Sequence, residues 1–163
     1  MRSLTLKTNL LIPFILLTII LAACQPATPL PALTAAKDME FTLAPDQTAT
    51  LTDIGMTIRL IGVAGDQRCP SGMECAMSGP VSVSLSAQMS SGVPTNIDLQ
   101  TFTSNNGRAP DMEFEGIKDR AVFEGYIIRV VSVLPYPDNL SKKIKDSEYR
   151  VTLTVSKKSV SKK

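Results

Sequence analysis

Apolar and polar residues alternate with a period of two along most of the chain after residue 38. Met39, Phe41 and Leu43 alternate with polar neighbours, a Thr-rich run follows from Gln47 to Thr52, and Met56, Ile58 and Leu60 alternate with Thr57 and Arg59 beyond Asp53-Ile54-Gly55. Successive side chains of a strand point to opposite faces, so these runs read as strands, with a hairpin turning at Gly55. Val81, Val83, Leu85, Ala87 and Met89 share one face while Ser82, Ser84, Ser86 and Gln88 share the other, the pattern of a strand dry on one side and wet on the other. Ile97, Leu99 and Thr101 repeat it after Ser90-Ser91-Gly92. A shorter alternation joins Met112 and Phe114 with Glu113 and Glu115.

Ala121 to Phe123 approaches Gly125, and Tyr126 to Leu134 is a nearly continuous apolar run rich in Ile and Val, which predicts a central strand buried on both faces. Pro135-Tyr136-Pro137 ends it, because proline cannot donate to a ladder. A polar stretch, 138–147, predicts a loop with at most one helical turn, and Tyr149, Val151, Leu153 and Val155 face inward in a last strand. Seven to nine short strands with turn signals every eight to twelve residues predict an all-β fold, a single antiparallel β-sandwich of Ig-like or barrel-like form. The expected domain spans 38–156, with a basic tail over 157–163.

The amino terminus follows a different logic. Arg2 and Lys7 precede an apolar run from Leu10 to Leu21, and small residues lead to Cys24. A positive region, a short apolar core and a small-residue cleavage site are the parts of a signal peptide, here 1–23. The run is too short, and interrupted by Pro13, for an uncleaved span of about 20 residues. Leu21-Ala22-Ala23-Cys24 resembles the cleavage and lipidation site of bacterial lipoproteins, which implies that Cys24 becomes the acylated first residue of the mature chain. Gln25 is not the aspartate that retains some lipoproteins in the inner membrane, so the expected placement is the outer membrane or cell surface, according to envelope type. Residues 24–37, with three prolines and no charge before Lys37, read as a lipidated cysteine and an extended tether of about 35 Å.

Charge and composition then narrow the function. Seventeen basic residues oppose 15 acidic ones; without Arg2 and Lys7, and without Lys157, Lys158, Lys162 and Lys163, the body holds 11 against 15. An acidic body argues against nucleic acid as a partner. The chain has no histidine, which removes the commonest general base, the Ser-His and Cys-His pairs and most zinc sites. Ser141-Lys142 and Ser156-Lys157 are adjacent polar surface residues, and Asp111, Glu113 and Glu115 read as the wet face of a strand. No enzyme and no cofactor are expected.

Candidate chemistry concentrates in 65–79, which holds Asp66, Arg68, Cys69, Met73, Cys75 and Met77 between glycines. With Cys24 assigned to lipid, Cys69 and Cys75 form an even pair in an exported chain, where a disulfide is the default. The alternative is a Cu(I) site, since Met73 and Met77 bracket Cys75 and thiolate with thioether suits a soft ion. Asp66, Arg68 and Met77 form a candidate binding loop, with Arg68 turned either outward to a partner or inward to cement loop carbonyls.

Asp66-Gln67-Arg68-Cys69-Pro70, Cys75 and Gly79, followed by an alternating strand, resemble a group of uncharacterised bacterial lipoproteins and secreted proteins whose pattern runs approximately D-S-R-C-P, then C-x-W-x-G and a strand. Gly125-Tyr126-Ile127-Ile128-Arg129, Pro135-Tyr136-Pro137 and Tyr149-Arg150-Val151-Thr152-Leu153 are similar to that group's closing strands, so the likeness covers roughly Gln47 to Val155. Gln67 stands for the usual serine, Met77 for the tryptophan, and Pro80 follows the glycine. The resemblance implies a fold and no reaction. The expectation is a lipid-anchored, noncatalytic envelope domain that binds a protein or glycan, tied to the membrane through Cys24, with a small-ligand or Cu(I)-handling domain as the alternative.

Overall fold

The structure, a computed structural model, describes residues 30–139 and 143–159. The expected signal peptide, Cys24 and the end of the basic tail lie outside the described residues. Among the described residues nine strands follow in order: β1 (Leu33–Ala35), β2 (Phe41–Leu43), β3 (Thr48–Leu51), β4 (Met56–Asp66), β5 (Val81–Met89), β6 (Thr95–Thr101), β7 (Arg120–Phe123), β8 (Tyr126–Leu134) and β9 (Arg150–Lys157), with one 3-10 turn at Asp146–Glu148. They form a five-stranded sheet, β1-β3-β4-β5-β6, and a four-stranded sheet, β2-β9-β8-β7. The architecture is the expected all-β sandwich.

The alternating residues do what their period requires. In β5, Val81, Val83, Leu85 and Ala87 are buried while Ser82, Ser84 and Ser86 stay half-exposed. In β9, Val151, Leu153 and Val155 face Ile128 and Val130 of β8 within the same core. A bulge between Val130 and Ser132 then shifts the phase by one, so that Val133, not Ser132, returns to the core cluster. β8 is interior to its sheet, but only Val130 to Val133 are buried in succession; Ile127 and Arg129 remain half-exposed.

Four expectations change. Leu33–Ala35, assigned to the tether, is a strand that pairs parallel with β3, with Leu33 beside Ala49 and Ala35 beside Leu51. Its two apolar residues pack against the core from an edge that three residues of local sequence do not announce. The ordered domain therefore starts before Asp38, and every named pairing but this one is antiparallel. β2 leaves the β3–β4 hairpin and joins β9 in the opposite sheet, with Phe41 beside Leu153. Residues 112–115 are not a strand: Met112 is exposed, Phe114 packs edge-on against Phe102, and Glu113 pairs with Arg120. Lys157 closes β9 instead of opening the tail.

Strand directions gather the three longest connections at one end. Residues 52–55, 90–94 and 124–125 make short turns at one end of the sandwich. Residues 67–80, 102–119 and 135–149, connections of 14, 18 and 15 residues, leave from the other end. Long loops on a rigid scaffold are where binding surfaces are usually built.

Candidate functional site

The three long loops are joined by Arg68. Its position follows from β4, which delivers Asp66 to the end of the sheet, and from Pro70, Cys69 and Gly79, which fold the next segment back. The Gln67 carbonyl accepts from the Gly79 amide at 2.9 Å, and a Cβ on Gly79 would stand 2.6 Å from the Gln67 Cβ, so this close approach needs glycine. Cys69 and Cys75 form a disulfide with Cα atoms 6.0 Å apart, which closes the intervening turn.

Arg68 is buried, with its side chain fully removed from solvent. Nε donates to Asp66 Oδ1 at 2.8 Å and Nη2 to Asp66 Oδ2 at 2.6 Å, a two-pronged ion pair that Tyr149 completes by donating to Oδ2 at 3.1 Å. Nη1 donates to the Val133 carbonyl at 2.7 Å and Nη2 to the Pro135 carbonyl at 2.9 Å, which ties the end of β8 to the disulfide loop. Thr103 Oγ1 lies 3.4 Å from Nη1, and the guanidinium carbon stands 5.0 Å above the Tyr136 ring centre. Tyr136 in turn donates its hydroxyl proton to the Cys69 carbonyl at 2.8 Å, and the Ser71 amide donates to Pro137. One cation thus contacts all three loops.

The electrostatics agree with the geometry. Burial pushes the Asp66 carboxyl up, but the Arg68 guanidinium and amide and the Tyr149 hydroxyl outweigh it and hold it below the usual carboxylate range. Burial, followed by the Asp66 charge, pushes Tyr149 up to about 12, so its proton stays on the hydroxyl and serves the carboxylate. A cleft of about 380 Å³ opens beside this network, lined by Val63, Pro70, Lys143 and Tyr149 among others. Of its lining, Asp66, Arg68 and Tyr149 already satisfy one another.

This placement takes the inward of the two orientations expected for Arg68. Asp66 and Arg68 are interior cement, while Met77 is 84% exposed and Met73 44% exposed on the same loop. The Cu(I) set of Cys69, Met73, Cys75 and Met77 does not assemble, because both cysteine sulfurs are committed to the disulfide and neither offers a thiolate. Cys24 lies outside the described residues.

Comparisons with protein-family models, with curated proteins and with solved structures return no match.

Asp111, Glu113 and Glu115 do not share a face. Asp111 pairs with Arg129 at 2.9 Å and Glu113 with Arg120 at 3.1 Å, and Glu115 is exposed. The pairs answer a need of the β7–β8 ladder, in which Arg120 and Arg129 are direct partners and would repel. Buried Asp119 bridges them, 2.9 Å from Arg120 Nε and 3.5 Å from Arg129 Nε. Burial raises its carboxyl, but the two arginines prevail and hold it low. Sequence reasoning missed Asp119; the signal was present in Asp119-Arg120 preceding a strand that returns with Arg129.

Proposed function

We propose that this protein is a lipid-anchored, noncatalytic domain of the bacterial cell envelope, held to the outer membrane or cell surface by acylated Cys24, whose sandwich presents an exposed sheet edge to an envelope protein or glycan. The observation that carries the noncatalytic part is the mutual satisfaction of Arg68, Asp66 and Tyr149: the titratable groups of the loop motif spend their hydrogen bonds on one another and on loop carbonyls. A catalytic acid or base needs a free proton site toward substrate, and these groups point theirs at each other. The anchor reading is supported by Leu21-Ala22-Ala23-Cys24 behind a positive and then apolar leader.

Metabolic labelling with an alkyne fatty acid tests the anchor. The full-length chain is expected to take up label and to sediment with membranes, and Cys24→Ala to lose the label and appear in the soluble fraction. Equal labelling of both chains would overturn the reading.

A further inference from the structure

Resting on the lipid-anchor reading, we propose that the disulfide loop is itself a membrane contact: Met77, with Met73 beside it, dips into the outer part of the bilayer that holds Cys24.

Two lengths support this. Gln47 Nε2 donates to the Pro31 carbonyl at 3.0 Å, and the Gln47 carbonyl accepts from the Leu60 amide at 3.1 Å, so the chain enters the domain level with Leu60. β1 runs parallel to β3 and therefore away from the loop end, which means that the chain ahead of it approaches from the loop side. Six peptide links separate Leu30 from Cys24. They span about 20 Å at most. From Leu60 to Asp66, β4 carries two bulges and keeps pace with only the four steps of β5 from Leu85 to Val81, a rise of about 14 Å. The acylated residue can therefore pass the plane of Asp66 by less than about 10 Å, and the long loops lie beyond that plane, so a membrane that holds Cys24 from that side lies against them.

The loop is suited to that place. Met77 is 84% exposed, against 81% for Val93 in the turn at the opposite end, and its position is fixed on both sides. The disulfide closes one flank, and on the other Ser78 Oγ accepts from the Cys69 amide at 3.1 Å while the Gly79 amide is tied to Gln67. A pinned loop backbone gives up little conformational freedom on entering lipid, and the flexible thioether adapts to an irregular apolar surrounding. Glu74, Asp138, Lys143 and Lys145 are exposed around it with both signs of charge, so the apolar side chains, not anionic headgroups, carry the contact.

The test uses the absence of tryptophan from the chain: Met77→Trp supplies a single emitter at a position too exposed to disturb the core. Full-length acylated protein is reconstituted into phosphatidylcholine vesicles with and without brominated acyl chains, and Ser91→Trp, in the turn at the opposite end, serves as the reference. The Met77→Trp emission is expected to shift to shorter wavelength and to lose most of its intensity to brominated lipid, while the Ser91→Trp emission does neither. The intact mass of the same preparation reports the acyl group. Acylated protein in which both emitters behave alike overturns the loop contact alone, and protein without an acyl group overturns the anchor together with the contact. Shielding of the Met77→Trp emitter in native envelopes but not in vesicles assigns the loop to a protein partner and overturns the lipid proposal.

Discussion

Removing the guanidinium of Arg68 leaves Asp66 ionised with its side chain only 11% exposed and strips the Val133 and Pro135 carbonyls of their donor. Breaking a buried pair on one side typically costs about 3–5 kcal/mol. Arg68→Ala is therefore expected to lower the urea midpoint strongly, and an unchanged midpoint would contradict the buried placement. Asp66 adds an acid dependence. Its folded carboxyl titrates below its unfolded value, so its contribution is present above the ordinary carboxylate range near 4 and is lost as pH falls through the lowered value. Tyr149 adds an alkaline one. The folded state holds this proton up to about 12 against 10.0 for the free group, so stability falls as pH rises between those values, by about 2–3 kcal/mol in all. Tyr149→Phe should flatten that part of the pH profile, measured by chemical unfolding at stepped pH. At this scale the motif was legible in the sequence as a cluster, but the direction of Arg68 was not, because its acceptors are carbonyls 65 and 67 residues away.

At the scale of elements, the disulfide loop is a small closed turn between two long strands. Closing so short a loop restrains the unfolded chain by about 2–3 kcal/mol in the loop-entropy model. Reduction, or Cys69→Ser with Cys75→Ser, should lower the melting temperature while the strand signal in circular dichroism persists, since the β4–β5 pairing runs from Met56 to Asp66, outside the disulfide loop. Most strands were readable because one face of each is dry and the period of two survives: β5, β6 and β9 fall where their alternation places them. The failures share a cause. Leu33–Ala35 has only two inward residues, and its stability comes from β3 and the core, not from itself. Residues 112–115 alternate just as well but lie between Pro110 and Gly116, whose φ is +79°, and Glu113 and the preceding Asp111 are drawn to Arg120 and Arg129. A four-residue pattern is too short to outweigh such partners.

For the whole molecule, the early start of order is the consequential difference. With β1 in the sheet, the reach from Cys24 to the domain falls from the expected 35 Å or so to about 20 Å. A chain beginning at Asp38 should be less stable than one beginning at Leu30 by about 1–2 kcal/mol, the scale of partly burying Leu33 and Ala35, as read from urea unfolding of the two. Equal stability would mean that β1 contributes nothing to the domain. The sequence by itself determined the all-β class, the faces of the long strands and the pairing of Cys69 with Cys75. Those are local matters: a period of two and a small spacing each act within a dozen residues. Only the tertiary structure decided that Arg68 and Asp66 turn inward, that Asp119 sits between two arginines and that the three long loops gather at one end. Each of these depends on which distant strand becomes a neighbour, and that follows from packing two sheets over a common core, where the partner of a buried charge is set by register and not by proximity along the chain.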